Sequence, residues 1–468
     1  MAEFISVINP ATEQLIKEIP IDDGTAVSDK VARAKAAQPK WAARPVEERI
    51  NLIKRFKDLL VSQVDILAKT LTAETGKPIT QARNEILATP ARIDFFTENV
   101  ARLMAADAVY QAPAAVSGTA QLEEIIAYDA LGVVANISAW NYPYFVGSNV
   151  FVPALLTGNT VLYKPSEIAT MTGLAIADLF YQAGVPQDVF MPVVGAGPTG
   201  AALLEEAIDG VFFTGSYRTG QKIAIAAAPK LIKVQLELGG KDPAYVCPDV
   251  DAAKAAAALA DGAFYNNGQS CCAIERIYVH TDIYEPFLDA FLQSVQAFKM
   301  GDPNSTDTYL GPLSRKPQLT VLTQQIADAV SKGATVRCGE QQSNQPGFYF
   351  APTVLTEVTH EMSVMREETF GPVIGIQRVS DDAQAIALMN DTDYGLTAAV
   401  YSCDRERAMA ILAQVNSGSA YWNCCDRVSP RLPWTGRGHS GIGSTLSTLG
   451  ISTFLQPRGW HLKQHSIQ

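Results

Sequence analysis

A pair of cysteines in a glycine-containing loop is the first feature of this sequence that could carry chemistry. Residues 264–273 read Phe-Tyr-Asn-Asn-Gly-Gln-Ser-Cys-Cys-Ala and follow an alanine-rich helical pattern, so a substrate could reach Cys271 or Cys272. A thiolate is a good nucleophile even when only a small fraction of the thiol is ionised near neutral pH. The loop therefore predicts covalent chemistry at sulfur.

A lone carboxylate precedes this loop in the sequence. Glu237 stands between Leu236 and Leu238 at the end of a predicted apolar strand. A carboxylate in such surroundings is costly unless it has a partner or a task, and burial raises its pKa. Glu237 is therefore a second candidate functional residue.

Two glycine patterns could bind a dinucleotide. Gly195–Gly200 has the spacing G-x-G-x-x-G, but that fingerprint also needs an acidic residue at the end of the next strand. The next predicted strand, 211–213, is followed by Thr-Gly-Ser, so we interpret the first pattern as a plain strand-to-helix turn. The second pattern, Gly215–Gly220, opens a predicted helix whose N-terminus could bind a pyrophosphate, and a structural turn explains it equally well.

The elements that must position these residues form two α/β units in series. Residues 21–98 read as helices, and short β-branched runs then alternate with helical segments. The predicted strands of the first unit are 132–137, 160–163, 189–194 and 211–213; the second unit has strands 244–246 and 276–279 and helices 251–264, 284–298 and 317–332. This alternation predicts an α/β fold with two doubly wound lobes.

Two segments fit neither lobe. Residues 109–128 and 447–461 read as strands with turn residues at their ends. Outlying strands of this kind are candidates for pairing between subunits.

Composition excludes several classes of protein. The 468 residues are 47% hydrophobic and 18% charged, which suits a globular protein with a large core rather than a disordered or fibrous one. The net charge of −11 argues against nucleic acid as the principal partner. Seven cysteines without Cys-x-x-Cys pairs predict neither a disulfide framework nor a metal site.

One long stretch without charged residues could suggest a membrane span. Residues 130–163 exceed the ~20 residues that a spanning helix needs. They also contain four asparagines and several glycines and prolines, so we predict a buried strand, loop and helix instead. The N-terminus does not read as a secretory signal, and we expect a cytoplasmic protein.

Six short motifs in the same order resemble the aldehyde dehydrogenase superfamily. The likeness runs from Asn9 to Gly436. The motifs are Ala139-Trp140-Asn141-Tyr142-Pro143, Lys164-Pro165-Ser166-Glu167, Phe213-Thr214-Gly215-Ser216, Glu237-Leu238-Gly239-Gly240-Lys241, Gly268-Gln269-Ser270-Cys271 and Glu367-Glu368-Thr369-Phe370-Gly371-Pro372-Val373. Each motif alone is weak, whereas six in order leave little room for chance.

The resemblance implies the oxidation of an aldehyde to a carboxylic acid with NAD(P)+. Cys271 is then the nucleophile, with Cys272 as the competing candidate. The side-chain amide of Asn141 and the backbone N–H of Cys271 hold the oxyanion. Glu237 resembles the general base that activates water against the thioester, and its presence favours release of a free acid rather than transfer to coenzyme A.

The resemblance also implies a set of cofactor-binding residues. Lys164 and Glu167 belong to the adenosine ribose site, and Trp140 is a further cofactor-binding residue. The pyrophosphate is expected at the helix that opens at Gly215, Ser216 and Gly220, and the nicotinamide ribose and ring at Glu368 and Phe370. The carboxylate of Glu167 would repel a 2′-phosphate, which favours NAD, with NADP still possible.

The expected substrate tunnel suits an aliphatic or aromatic aldehyde. By resemblance, its walls include Tyr142, Val146, Asn149, Ser270, Cys272 and the loop 424–434 with Trp434. If Arg427 or Arg431 points inward, a semialdehyde with a carboxylate becomes the better substrate, since arginine binds carboxylates bidentately. If both point outward, they are ordinary surface charge.

The resemblance implies a domain division and an assembly. We expect a dinucleotide-binding domain in residues 1–106 and 128–236, a catalytic domain in 237–440, and oligomerisation segments in 107–127 and 441–468 that build a homodimer or a homotetramer. Two other functions stay open. One is a non-catalytic nucleotide-binding or structural protein of the same fold, and the other is a thiol esterase that uses the same cysteine.

Overall fold

The computed structural model describes residues 3–111, 121–339 and 346–464. The strands are β1 (Phe4–Ile8), β2 (Leu15–Pro20), β3 (Asp107–Gln111), β4 (Gln121–Ala130), β5 (Val133–Ile137), β6 (Thr160–Lys164), β7 (Phe190–Pro192), β8 (Gly210–Thr214), β9 (Lys233–Glu237), β10 (Asp242–Val246), β11 (Ile274–His280), β12 (Thr335–Cys338), β13 (Thr353–Thr356), β14 (Val373–Val379), β15 (Thr397–Tyr401), β16 (Ser419–Trp422), β17 (Gly441–Ile442) and β18 (Leu455–Gln464). The helices are α1 (Gly24–Ala42), α2 (Val46–Ser62), α3 (Val64–Thr75), α4 (Ile79–Ala88), α5 (Pro90–Met104), α6 (Pro143–Leu156), α7 (Thr170–Gln182), α8 (Gly197–Glu205), α9 (Tyr217–Ala227), α10 (Ala252–Phe264), α11 (Tyr284–Gln296), α12 (Lys316–Ser331), α13 (Ser363–Arg366), α14 (Asp382–Asn390), α15 (Arg405–Leu412) and α16 (Ser447–Ser452).

The first lobe contains a six-stranded sheet in the order β17-β9-β8-β5-β6-β7. Strands β5 to β9 are parallel, and β17 runs antiparallel to β9. The predicted strands lie within a residue or two of the observed ones, except that 189–194 shortens to the three residues of β7. The predicted helical stretch 21–98 is resolved into α1 to α5.

The second lobe contains a seven-stranded sheet in the order β12-β13-β14-β11-β10-β15-β16. All neighbours pair in parallel except β12, which runs antiparallel to β13 at the edge. Central strand β10 is buried along its whole length, as expected for a sheet covered on both faces. The predicted α/β fold with two sheet-containing lobes is confirmed.

A third, antiparallel sheet in the order β18-β4-β3 lies outside both lobes. Strand β18 pairs with β4 over ten residues. Residues 112–120 of the predicted segment 109–128 lie outside the described part of the chain. The prediction of a strand from 447 is wrong at its start, because α16 intervenes and packs against α5, with Ile451 and Phe454 buried.

The end of the chain also contributes to the first sheet. Residues 441–468, which the sequence assigned to oligomerisation, include β17, whose Gly441 pairs with Glu237. The part of this segment that lies outside both lobes therefore begins only at β18.

The stretch 130–163 forms β5, α6 and β6, as predicted. Helix α6 begins with Pro143 and is buried almost all round, which is typical of a helix inside a large core. None of the described helices is long and apolar enough to cross a membrane.

Candidate functional site

A cavity of about 730 Å³ gathers many of the predicted site residues. Its walls come from α4, α5, the first half of α6, the end of β9, the cysteine loop and the loop 426–434. The predicted residues in its lining are Tyr142, Val146, Asn149, Glu237, Ser270, Cys271, Cys272 and Trp434. The thiols and the Glu237 carboxylate, which are far apart in sequence, thus face one cavity.

An unusual backbone turn delivers the cysteines to this cavity. After α10, three consecutive residues adopt left-handed conformations: Asn266 (φ 53°), Asn267 (φ 58°) and Gly268 (φ 68°). Asparagine tolerates this region better than most residues, and glycine adopts it without strain. A Cβ at Gly268 would also clash with the main-chain oxygen of Gly371. The Asn-Asn-Gly sequence is therefore what the turn requires.

The two cysteines differ in accessibility. Cys271 is half-buried in the cavity wall, whereas Cys272 is only 3% exposed. The Cys272 thiol donates a hydrogen bond to Oδ1 of Asp426 at 3.0 Å. A hydrogen bond with Cys271, together with burial, raises the pKa of the Cys272 thiol well above its ordinary value. Cys271 is therefore the better placed of the two for attack on a substrate.

Asn141 lies against the cysteine loop rather than in the cavity lining. Its Nδ2 donates to the main-chain oxygen of Gln269 at 3.1 Å, and Nδ2 of Asn266 donates to the main-chain oxygen of Asn141 at 3.4 Å. An asparagine amide has two N–H donors, so one remains for a ligand. These bonds fix the amide next to the residues that carry the thiols.

Glu237 ends β9 and is 4% exposed. Burial raises the pKa of its carboxyl to about 7, against the opposing effect of the Thr445 hydroxyl, which donates to Oε1. A carboxyl with such a pKa can exchange a proton near neutral pH. Thr445 was not predicted, and it comes from the end of the chain near β17.

The predicted cofactor residues lie along one edge of the first sheet. Strands β5, β6 and β8 are parallel and end just before Trp140, at Lys164 and just before Gly215. Ser216 caps the N-terminus of α9, where its side chain accepts from the backbone N–H of Thr219. Ligands of open parallel sheets bind at this carboxyl edge, and anions bind at helix N-termini.

Lys164 provides a test of whether these residues fit an anionic dinucleotide. It is 4% exposed, and burial lowers its pKa. Its Nζ donates to the main-chain oxygen of Pro165 at 3.1 Å and forms no ion pair with any of the described carboxylates. Glu167 is exposed nearby, and Gly220 is buried in α9 against Leu238. A buried cation at the carboxyl end of β6 and a helix N-terminus after β8 suit a ribose and a pyrophosphate.

Glu368 lies close to the glycines that follow Glu237, and Phe370 lies against Trp140. The Glu368 carboxylate accepts from the backbone N–H of Gly240 at 3.3 Å, and burial raises its pKa to about 8. The ring of Phe370 lies edge-on to that of Trp140, with 5.6 Å between the centroids. The two predicted nicotinamide residues are therefore neighbours of the catalytic candidates.

The sequence analysis did not predict the hydrogen-bond network that joins Lys241, Glu275 and Thr369. Nζ of Lys241 lies 2.7 Å from Oε2 of Glu275 and donates to Oγ1 of Thr369 at 2.8 Å. Glu275 also accepts from the backbone N–H groups of Thr369 and Phe370. The feature that could have indicated this network was Glu275, a glutamate at the start of a buried strand. The predicted strand began one residue later, at 276, and left Glu275 out.

A buried arginine in the cavity was also missed. Arg92, on α5, is 5% exposed, and its Nη1 donates to Oδ1 of Asn149 at 2.7 Å.

The sequence left open whether the two arginines of the loop 426–434 point into the cavity or into solvent. Arg427 and Arg431 both belong to the cavity lining, but both are exposed, which places them at its mouth.

Comparisons with known proteins agree with this geometry. Residues 1–459 match the model of the aldehyde dehydrogenase family. A succinate-semialdehyde dehydrogenase [NADP(+)] from Deinococcus radiodurans is 35% identical over 450 residues, which cover 96% of this chain and 93% of that protein.

Solved structures show the same fold. The crystal structure of lactaldehyde dehydrogenase from Escherichia coli matches with a TM-score of 0.93 and 34% identity, covering 99% of this chain and 96% of that one. A 3,6-anhydro-L-galactose dehydrogenase in complex with NADP matches with a TM-score of 0.93 and 32% identity, covering 98% and 96%. The cysteine loop, the buried glutamate and these matches together show that the chain belongs to the aldehyde dehydrogenase family.

Proposed function

We propose that this protein oxidises an aldehyde, RCHO, with NAD(P)+ and water to RCOOH, NAD(P)H and a proton. The observation that carries the proposal is the presence of an accessible thiol, Cys271, and a buried carboxyl with a pKa of about 7, Glu237, in the lining of one cavity. The predicted dinucleotide residues lie at the adjoining sheet edge.

The first step is the addition of the Cys271 thiolate to the aldehyde carbon. A C–S bond forms and the carbonyl oxygen becomes an oxyanion. The free N–H of the Asn141 amide and the backbone N–H of Cys271 hold that oxyanion, and such donors act most strongly where water is excluded. A dinucleotide held with its nicotinamide at Glu368 and Phe370 would accept hydride from this carbon, which would leave a thioester on Cys271.

The second step is hydrolysis of the thioester. Glu237 in its ionised form takes a proton from water, the water oxygen attacks the acyl carbon, and the C–S bond breaks. The carboxylic acid leaves, the Cys271 thiolate is restored, and Glu237 passes its proton to solvent. A base with a pKa near the working pH suits this task.

The cofactor residues support NAD as the preferred dinucleotide, with NADP as an alternative. Glu167 is an exposed carboxylate within reach of the β6 edge, and a carboxylate there repels a 2′-phosphate. Lys164 offers a compensating positive charge. The Deinococcus radiodurans relative is named for NADP, which makes a direct comparison of the two dinucleotides necessary.

The lining supports aliphatic or aromatic aldehydes as substrates. Tyr142, Val146 and Trp434 supply aromatic and apolar wall, and the loop arginines at the mouth favour the semialdehyde alternative. A non-catalytic role is disfavoured, because a retired enzyme has no chemical need to keep Cys271, Glu237 and Asn141 together.

Steady-state turnover tests the proposal. NADH and NADPH formation is followed by absorbance across a panel of aldehydes, with the Cys271→Ala variant as control. We expect dinucleotide reduction by the wild type, and loss of turnover with retained nucleotide binding in the variant. Ester hydrolysis without any dinucleotide reduction would instead support the esterase alternative and contradict the proposal.

We further propose a cytoplasmic homodimer or homotetramer assembled through the sheet β18-β4-β3. Strand β18 is an edge strand of ten residues, and Trp460 and Leu462 on it are 45% and 42% exposed. An exposed edge strand offers unpaired backbone N–H and C=O groups for pairing with another chain. Light scattering on the wild type and on Trp460→Lys checks this: the variant should shift towards the monomer, and a monomeric wild type would contradict it.

A further inference from the structure

The cavity contains a buried cation that the proposed reaction does not use. Arg92 lines the cavity, and its guanidinium lies over the ring of Phe145, with 4.0 Å from its central carbon to the ring centroid. Among the described residues, its one hydrogen-bond partner is the neutral amide of Asn149, and it forms no ion pair. A guanidinium has five N–H donors, so most of its hydrogen-bonding capacity is left over.

This arrangement costs stability. Burial lowers the pKa of Arg92 to about 10, against the favourable effect of Glu237, so the group stays charged near neutral pH. Arg92 is also the third residue of α5, and a cation in the first turn opposes the helix dipole. A buried charge without an ionic partner is expensive, which indicates a functional rather than a structural role.

The neighbouring carboxylates are already engaged. Glu85 forms an ion pair with Lys77 through Oε2, while its Oε1 accepts from the backbone N–H of Tyr144 at 2.9 Å. Glu237 accepts from Thr445. Lys77, a buried cation over the ring of Tyr142, thus has an ion-pair partner, whereas Arg92 has none among the described residues and is offset only from beyond ion-pair distance by Glu237 and Glu85.

We propose that Arg92 binds a carboxylate on the substrate, so that the cavity selects semialdehydes over uncharged aldehydes of the same length. This inference rests on the proposed aldehyde oxidation. A carboxylate can take two parallel N–H donors from a guanidinium, which supplies the missing counter-ion. Arg92, Cys271 and Cys272 all line the same cavity, which places the carboxylate site and the thiols in one chamber.

The rest of the lining carries charges of both signs. Arg427 and Arg431 at the mouth attract an anion towards the cavity. The acidic residues of the lining are Glu85, Glu237, Asp261 and Asp426. Glu85 is paired with Lys77, and Asp261 accepts a hydrogen bond from the Tyr309 hydroxyl. Asp426 accepts a hydrogen bond from the Cys272 thiol, burial raises its pKa to about 6, and the adjacent Arg427 offsets its charge.

The experiment compares matched pairs of aldehydes, 4-oxobutanoate with butanal and 5-oxopentanoate with pentanal. The wild type should have the higher kcat/KM for the charged member of at least one pair. In Arg92→Gln, kcat/KM for that substrate should fall about 10- to 100-fold more than for its uncharged partner, mainly through KM. Arg92→Lys should recover part of the preference. Arg83→Gln, an arginine on α4 outside the cavity, should keep the wild-type ratio.

A binding measurement separates this inference from the reaction itself. Calorimetry with succinate and with the uncharged butanamide is carried out on Cys271→Ala and on Cys271→Ala/Arg92→Gln, after circular dichroism shows that both are folded. Succinate should bind more tightly than butanamide to the first protein and lose that advantage in the second.

The outcomes are distinct. Equal losses for both members of a pair in Arg92→Gln, or succinate binding that survives the substitution, would overturn the role of Arg92 while leaving aldehyde oxidation intact. If the wild type reduces neither dinucleotide with any aldehyde, the proposed function fails, and the calorimetric comparison still decides whether Arg92 is a carboxylate site.

Discussion

The hydroxyl of Thr445 donates a hydrogen bond to Oε1 of Glu237, and both side chains are buried. The main chain of Thr445 is also paired with Trp434 in both directions, with N···O distances of 2.7 and 2.9 Å. Trp434 lines the cavity. Thr445 therefore connects Glu237, the candidate base, to the loop 426–434. It also provides the charged form of Glu237 with a hydrogen-bond donor.

Removing that donor should shift the pH dependence of turnover. Thr445→Val keeps the shape of the side chain but no longer stabilises the ionised carboxylate, so the pKa of Glu237 rises above about 7. The midpoint of the kcat–pH profile should move upward by about one pH unit. Thr445→Ser, which retains the hydroxyl, is the control and should follow the wild type. An unshifted profile in Thr445→Val would show that Thr445 does not position the base.

The wild-type profile has a defined sign. Burial raises the pKa of Glu237 to about 7, and only the ionised form can accept a proton from water. Between about pH 6 and about pH 8 the ionised fraction increases about tenfold, and the hydrolysis rate should increase with it. Rapid-mixing measurements of acyl-enzyme breakdown check this expectation. A breakdown rate that falls with rising pH would contradict the assignment of Glu237 as the base.

The two adjacent cysteines should respond differently to substitution. Cys271→Ser should lose aldehyde turnover, because a serine hydroxyl is a far weaker nucleophile than a thiolate. Cys272→Ser should retain most of it, since serine can still donate to Asp426 as Cys272 does at 3.0 Å. Steady-state kinetics of both purified variants decide the matter. The reverse order of activities would assign the nucleophile to Cys272.

The buried ion pair between Lys241 and Glu275 should contribute strongly to stability. Lys241→Met leaves the Glu275 carboxylate buried without its cation, so the free energy of unfolding should fall by about 3 to 5 kcal/mol. The double variant Lys241→Met/Glu275→Gln should lose less than the sum of the single variants. Urea denaturation, monitored by circular dichroism, measures the free energy of unfolding of each variant. Additive losses would mean that the two groups do not interact in the native protein.

Local patterns in the sequence were sufficient to predict much of the fold. The apolar runs around 133–137 and 160–164 predicted central strands because a parallel sheet covered on both faces requires continuous hydrophobic residues. The lone glutamate at 237 predicted a functional carboxyl because burial of an acid is costly. Both arguments rely on properties of a few adjacent residues.

Long-range contacts could not be predicted in the same way. Thr445 meets Glu237 across 208 residues, and a threonine near a turn has no local feature that indicates such a partner. Arg92 lies in a helix with charged neighbours, where an arginine is expected to face solvent. The short strand β17 has only two residues, too few for any periodic pattern. The positions of Thr445, Arg92 and β17 depend on tertiary contacts, which local sequence patterns do not reveal.

Trapping the acyl intermediate in Glu237→Gln tests the central claim most directly. The variant is mixed with an aldehyde and NAD+, and the protein is examined by intact mass and by fragmentation of the peptide that carries residues 271 and 272. The account predicts about one NADH per subunit in a single burst and an acyl group on the sulfur of Cys271. No acyl group on Cys271, or continued turnover at the wild-type rate, would contradict it.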